Sequence, residues 1–316
     1  MRLLSWNVAG LRAALRKNAL DFLLGSDYDV VCLQETKANR DEVQGIEALL
    51  DAYPHQYWNS TQGTTQRKGL SGTAIWSKTP PLREIPPPPF DEEGRTTCVE
   101  FDSYIVLTVY TPNSQARGSE RARYRAATWD GAFRRHVRQL MRHKPVVVCG
   151  DLNVAHKDID VYHPDKWADT PGLLDAERAN LDTLLGLGLV DTLRAFNKAP
   201  RMYTFWPYTV PVFRPRNIGW RIDYFLADRR LMPHVTRPQV LREIVGSDHC
   251  PVTVDIDMAR THKRLVIAPS LEPIPSAIAQ LSHAQLAEAF WAKGVAPGKI
   301  DAYNRLEKEV ELVALT

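Results

Sequence analysis

The sequence predicts a layered α/β protein with mixed sheets. Three observations carry that reading. Six short runs of β-branched, aliphatic or aromatic residues are bounded by polar residues or by Gly and Pro, as buried strands are. Helical patterns, with apolar residues three and four apart, lie between some of them. The two kinds do not alternate strictly, because several strands follow one another through loops. That favours mixed sheets over a purely parallel one.

The elements follow in chain order. Leu3–Trp6 reads as the first strand, and a helix is expected over about Leu11–Leu24. Val30–Leu33 is the second strand. Pro86-Pro87-Pro88-Pro89 is a stiff connector, and Ile105–Tyr110 is the next strand. From about Glu120 to Met141, Trp129, Phe133, Val137 and Leu140 mark one helix face, while Arg134, Arg135, Arg138 and Arg142 take other positions. Ser119 is placed to cap that helix. Val146–Cys149 is a strand, about Arg178–Leu187 a helix, and Ile222–Leu226 and Val252–Ile256 are the last two strands.

Composition shifts near residue 260. Pro269, Pro273 and Pro275 punctuate the chain, Ser282 would cap a short helix through Trp291, and another is expected over about Lys299–Leu312. The reading is therefore a core domain over residues 1–257 and a partly helical extension over 258–316, small for a domain of its own. A protein partner is among the roles open to that extension.

Composition narrows the function classes. With 44% hydrophobic and 24% charged residues among 316, the chain is neither disordered nor fibrous. No run approaches the roughly 18 uncharged apolar residues of a membrane span. The start, Met1-Arg2-Leu3-Leu4-Ser5-Trp6-Asn7, has too short an apolar part for a signal peptide. An intracellular protein is expected, in a nucleus or an undivided cytoplasm. Cys32, Cys98, Cys149 and Cys250 form no CxxC pair, so zinc is disfavoured and buried thiols are expected. The net charge of +3 is small but unevenly placed: residues 116–144 hold nine basic groups against two acids. Arg201, Arg214, Arg216 and Arg221 form a second basic stretch without an acid. A polyanion backbone would lie along such runs.

The informative residues stand where strands end. Asn7 follows the first strand, Glu35 the second, and Asn113 follows Tyr110. Asp151 and Asn153 follow the Val146 run, two apart and so facing the same way if extended. Asp223 and Asp248-His249 stand at the openings of the last two strands. Each alone would be an ordinary cap or turn residue. Such residues at six strand ends together suggest a site. Glu35, Asp248 and Asn7 offer hard oxygen atoms that suit Mg²⁺, His249 can carry positive charge to a phosphoryl oxygen, and Asp151 can hold a water. That is the inventory for metal-assisted hydrolysis of a phosphodiester or a phosphomonoester. A Ser-His-Asp hydrolase competes weakly: there is no G-x-S-x-G elbow, and Ser247 is too local to Asp248-His249.

The blocks WNVAGLRA, LQETK, VYTPN, GDLNVAH, GWRIDYFL and GSDHCPV occur in that order. Together they resemble the exonuclease III type of apurinic/apyrimidinic endonuclease, within the endonuclease/exonuclease/phosphatase superfamily and closest to its eukaryotic-type members. The resemblance covers roughly residues 1–257 and implies a four-layered α/β sandwich, two mixed sheets packed face to face and flanked by helices. It implies a monomeric, Mg²⁺-dependent enzyme, with Mn²⁺ able to substitute. Such an enzyme cuts duplex DNA 5′ to abasic sites, with 3′-phosphodiesterase and 3′→5′ exonuclease side activities. It further implies that Glu35 is the main metal ligand, with Asn7 and Asp248 in support. Asp151 would activate the water with Asn153 beside it, Tyr110 and Asn113 would contact phosphate, and Asp223 would orient and charge His249. Phe205, Trp220 and Ile222 would line a pocket for a flipped, base-free sugar, and Arg117 would enter the DNA groove. At Ala9 the family usually carries Asp or Asn in the outer metal shell, so altered metal binding is expected here. A superfamily phosphatase or phospholipase acting on another phosphoester is the alternative activity, and a non-catalytic binding module a third reading.

Overall fold

The structure, a computed structural model, describes residues 1–61 and 69–259. The helices expected beyond residue 260 lie outside the described residues. In chain order the strands are β1 (Arg2–Asn7), β2 (Val30–Gln34), β3 (His55–Asn59), β4 (Thr73–Ser77), β5 (Arg83–Ile85), β6 (Thr96–Glu100), β7 (Ile105–Tyr110), β8 (Val146–Asp151), β9 (Leu189–Asp191), β10 (Asp223–Asp228), β11 (Val235–Val240) and β12 (Val252–Ile256). The α-helices are α1 (Leu11–Arg16), α2 (Glu47–Ala52), α3 (Glu120–Tyr124), α4 (Asp130–His143), α5 (Asp175–Leu185) and α6 (Thr192–Phe196).

Two six-stranded sheets result, in the orders β11-β12-β1-β2-β4-β3 and β5-β6-β7-β8-β10-β9. Each has a single parallel pair near its centre, β1 with β2 and β7 with β8. The remaining pairs are antiparallel. The sheets are mixed, as the loop-linked strand order requires.

Side-chain alternation explains the layers. Leu3, Val30, Cys32, Val106, Val147, Cys149, Phe225 and Val254 meet between the sheets in one buried cluster. Their strand neighbours face outward: Leu4 and Val31 join Leu11 and Leu20, while Leu107, Val148 and Leu226 join Phe133 and Val137 of α4. Both faces of the inner strands are thus dry, which is why those strands read as unbroken apolar runs rather than as alternation. Each buried aliphatic or aromatic side chain contributes roughly 1.5–3 kcal/mol. Among the described residues no helix is long and apolar enough to cross a membrane, and all four cysteines are free and buried.

Three expected helices are revised. The Leu11–Leu24 pattern is cut short: α1 ends at Arg16, Asn18 takes a left-handed φ of 52°, and only a 3₁₀ turn at Asp21–Leu23 follows. The long helix does start behind Ser119, whose hydroxyl accepts from the Ala122 amide, and it reaches His143. It carries one π turn, Arg125–Trp129. The third helix is set about one turn earlier, at Asp175–Leu185. Six strands were missing from the sequence reading. β11 is one, an edge strand carrying Pro238 and an irregular register, as an edge position allows.

Candidate active site

The same alternation brings the polar residues together. Asn7 shares the inward parity of Leu3, Tyr110 that of Val106, Asp151 that of Val147, and Asp223 that of Phe225. Each stands at the last or first position of its strand. In the second sheet they form a row, since Tyr110 pairs with Asp151 and Asp151 with Asp223. Parity points them at the facing sheet, and their position at one end of the apolar core frees them from it. The Gly150 φ of +127°, and the Val109 carbonyl that stands where a Cβ would go, show why glycine precedes Asp151.

The site is stitched across the seam between sheets. Asn7 Nδ2 donates to Asp151 Oδ2 at 2.9 Å and to Glu35 Oε1 at 3.0 Å. Asp151 Oδ1 accepts from the Asn153 amide at 2.8 Å. The Asn153 side-chain oxygen in turn accepts from Asn113 Nδ2 at 2.9 Å. His249 Nδ1 lies 2.8 Å from Asp223 Oδ2, and its Nε2 lies 3.8 Å from Asp151 Oδ2. Ser247 Oγ holds the His249 turn, accepting from the His249 amide and donating to the Asn7 carbonyl at 2.7 Å. Asp151, Asp223 and His249 are all buried.

Electrostatics follow from that burial. Burial alone would lower the His249 pKa, but Asp223, Asp151 and Asp248 outweigh it and raise it to about 10. His249 is therefore an imidazolium at neutral pH. Asp151 is raised, first by burial and then by Asp223 and Glu35, against the opposing pull of His249. Burial also pushes the Glu35 carboxyl up, yet Lys37 and Asn7 bring it below its usual value. Lys37 Nζ stands 2.7 Å from Glu35 Oε2. The Tyr110 hydroxyl is raised by burial and by the facing Glu35 and Asp151 carboxylates, so it is a neutral donor.

Beside His249 lies an aromatic wall. The Phe205 ring centroid is 4.8 Å from that of His249 and 6.4 Å from that of Trp220. Trp220 and Phe205 pack on buried Ile222 and Leu173, joined by Trp167, which sequence reasoning missed. Gly172 sits flat under Trp220, since an added Cβ would come within 2.8 Å of the ring.

Two expected members stand apart. Asp248 Oδ1 lies 3.3 Å from Ser247 Oγ, whose proton goes to the nearer Asn7 carbonyl, and Asp248 borders a groove with Trp206, Tyr208 and Arg214. No hydrogen bond joins it to Glu35 or Asn7 among the described residues. Arg117 is exposed and paired with exposed Asp169, outside this cluster. The basic run of residues 116–144 also divides. Arg125 is buried at the site end, whereas Arg138 and Arg142 border a cleft with Arg229 and Arg230, beside the start of β8 and the end of β10. Lys37, Ser247, Arg125 and Trp167 were the functional neighbours not foreseen. Lys37, inside LQETK, and Ser247, inside GSDHCPV, had local motifs to mark them; Arg125 and Trp167 did not.

The donor set fits a hard divalent cation. Glu35 and Asp248 offer carboxylate oxygen, and Glu35 already draws the Lys37 ammonium, while Asn7 turns its Nδ2 toward Glu35 and its Oδ1 accepts from the Ala9 amide. Asp151, Asp223 and His249 also place ligand atoms within 4.8 Å of one another. In that group His249 Nδ1 is taken up by Asp223 Oδ2 at 2.8 Å, which leaves Nε2 and the carboxylate oxygens of Asp151 to face the site.

Fold and site together define a phosphoester hydrolase of the sandwich type. Comparison with known proteins specifies it further. The chain belongs to the Endonuclease/Exonuclease/phosphatase family, whose profile matches residues 4–249. It is 41% identical over 263 residues to an exodeoxyribonuclease of Bacillus subtilis, covering 82% of this chain and all of that one. It is 39% identical over 258 residues to the DNA repair nuclease APEX1 of Danio rerio, covering 80% of this chain and 81% of that one. An AP endonuclease of Archaeoglobus fulgidus superposes with a TM-score of 0.72 at 27% identity, over 81% of this chain and 99% of that one.

Proposed function

We propose that this protein is a DNA repair endonuclease that hydrolyses the phosphodiester 5′ to an abasic site in duplex DNA. The observation that carries the reading is the buried His249, held by Asp223 and facing Asp151 across the sheet seam, next to the Phe205–Trp220 wall. The relatives named as DNA repair nuclease and AP endonuclease support the substrate class. A structural neighbour described as a 3′-5′ exonuclease from Neisseria meningitidis supports 3′-end side activities.

Asp151, locked by Asn7 and Asn153, takes a proton from the attacking water. The hydroxyl adds to phosphorus as the bond to the 3′-oxygen breaks; that oxygen leaves with the bonding pair and takes a proton from solvent water, which gives a 3′-hydroxyl and a 5′-deoxyribose phosphate. His249, charged by Asp223, donates to a phosphoryl oxygen whose charge grows in the transition state. Asn113 and the Tyr110 hydroxyl hold the phosphate. Phe205, Trp220 and Ile222 seat a base-free sugar and exclude a base by size. Glu35 with Asn7, and Asp248 in support, would hold Mg²⁺ or Mn²⁺. Bound there, the ion supplies positive charge to the phosphate oxygens.

The test is a duplex carrying one tetrahydrofuran abasic analogue. A Mg²⁺-dependent nick on its 5′ side, lost in Glu35→Ala and with chelator, is expected. A nick that survives either change, or none in the wild type, refutes the reading.

A further inference from the structure

Behind the site a buried ion pair has no part in the chemistry just described. Arg125 is 2% and Glu177 3% exposed, and Arg125 Nη1 donates to Glu177 Oε1 at 2.9 Å. Buried charges are costly unless each remaining valence is used. Here every remaining valence except Arg125 Nε, which lies 3.8 Å from Asp130 Oδ2 without a hydrogen bond, goes to a loop of the site. Glu177 Oε1 also accepts from the Ser114 hydroxyl, next to Asn113 of the phosphate loop, at 2.5 Å. Its Oε2 accepts from the Gly172 amide at 2.6 Å and the Leu174 amide at 3.2 Å, in the loop that lies flat under Trp220. Arg125 donates from Nη1 to the Asn153 carbonyl at 2.8 Å and from Nη2 to the Leu152 carbonyl at 2.9 Å. Those two carbonyls belong to the turn that aims Asp151 and Asn153.

The local backbone is built for this reach. Arg125 opens the π turn in an otherwise α-helical run, a rare irregularity that recurs at functional sites. Residues 114, 153 and 172 are far apart in sequence and share no strand. The pair touches all three, adding to the direct links between neighbouring loops from Asn113 to Asn153 at 2.9 Å and from the Ala155 amide to the Gly172 carbonyl at 2.7 Å.

We propose that Arg125 and Glu177 are positioning residues that hold three loops in register: the phosphate loop, the water-orienting turn and the sugar-pocket loop. The proposal rests on the activity inferred above for what each loop does. Each arm of the pair then has its own kinetic signature. Cutting the Ser114 arm loosens phosphate binding. Cutting the Arg125 arm misaims Asp151 and slows the chemical step. Neutralising Glu177 disturbs all three and relaxes the pocket.

The experiment compares Ser114→Ala, Arg125→Lys and Glu177→Gln on the tetrahydrofuran duplex, with active sites titrated. Ser114→Ala should raise KM about threefold with kcat unchanged. Arg125→Lys should lower kcat about tenfold with KM within twofold. Glu177→Gln should change both and lower the ratio of abasic incision to 3′ removal of an ordinary nucleotide, a ratio that a mere loss of folded enzyme cannot move. Equal changes in all three variants, or none, overturn the proposal. Hydrogen exchange of Glu177→Gln gives a readout independent of activity. Protection should fall together in residues 112–116, 151–155 and 170–174; a loss confined to the last segment refutes the coupling. A wild type that fails to nick the duplex would refute the assigned activity, and the exchange result would still decide the coupling.

Discussion

Ala9 shows how one residue bears on both stability and chemistry. Its φ is 49°, in the left-handed region, and its amide donates to Asn7 Oδ1 at 3.0 Å. A β-carbon there is strained, and Asn or Asp tolerates the conformation better than Ala. Ala9→Asn should therefore stabilise by about 0.5–1 kcal/mol, raising Tm by roughly 1–3 °C in a melting scan. A lower Tm would show that the surrounding loop has relaxed the strain. Ala9→Asp adds an oxygen donor beside Asn7 and should lower the Mg²⁺ concentration for half-maximal incision. An unchanged titration would remove Ala9 from any account of metal binding. Asp223 is a sharper case, because its carboxylate holds the His249 charge at 2.8 Å. Asp223→Asn keeps the shape and removes the anion, so kcat should fall about 10²–10³-fold with KM little changed. A loss below fivefold would mean that the imidazolium is not held by Asp223.

At the scale of elements, the sequence was most legible where burial is complete on both faces. The run Val252–Ile256 matches β12 residue for residue, because an unbroken β-branched segment allows few other readings. β3, with His55 and Gln56 among its half-buried residues, carries no such pattern, and β11 contains Pro238. Most of the site was legible for a related reason: a polar residue ending an apolar strand leaves the core at a known place. Arg125 was not legible, since a helical arginine looks solvated until the π turn and Glu177 are seen. The same π turn leads into α4, whose first residue, Asp130, invites a stability test. Burial raises its pKa to about 6, with Arg125 pulling it down only partly. The unfolded chain would titrate near 3.9. A raised carboxyl destabilises the fold fully above about pH 6, and the penalty disappears below the unfolded value. Asp130→Asn should then melt higher than the wild type at pH 7–8, by an amount on the order of 2 kcal/mol. The gap should close as pH falls toward 4. A gap that widens on acidification would contradict the assignment.

At the scale of the molecule, the two sheets repeat one plan: a central parallel pair, with antiparallel neighbours on both sides. The site forms where the carboxyl ends of the two parallel pairs meet, so Asn7–Asp151 and Asp223–His249 both cross between sheets. That geometry also divides the basic surface. β8 runs from Val146, near the Arg138–Arg142 cleft, to Asp151 in the site. Six strand residues span roughly 17–20 Å. Charges that far apart through solvent exceed the Debye length of about 8 Å at physiological salt. Arg138 and Arg142 should consequently contribute little to binding a short duplex centred on the site, although they belong to the most basic stretch of the sequence. Arg138→Glu with Arg142→Glu should change kcat/KM on a short tetrahydrofuran duplex by less than about twofold at 0.15 M salt. In the wild type, by contrast, raising salt should weaken KM steeply through phosphate contacts near the site. A double variant that loses tenfold or more on the short duplex would mean that DNA reaches the far end of the sheet. The whole run would then act as one binding face.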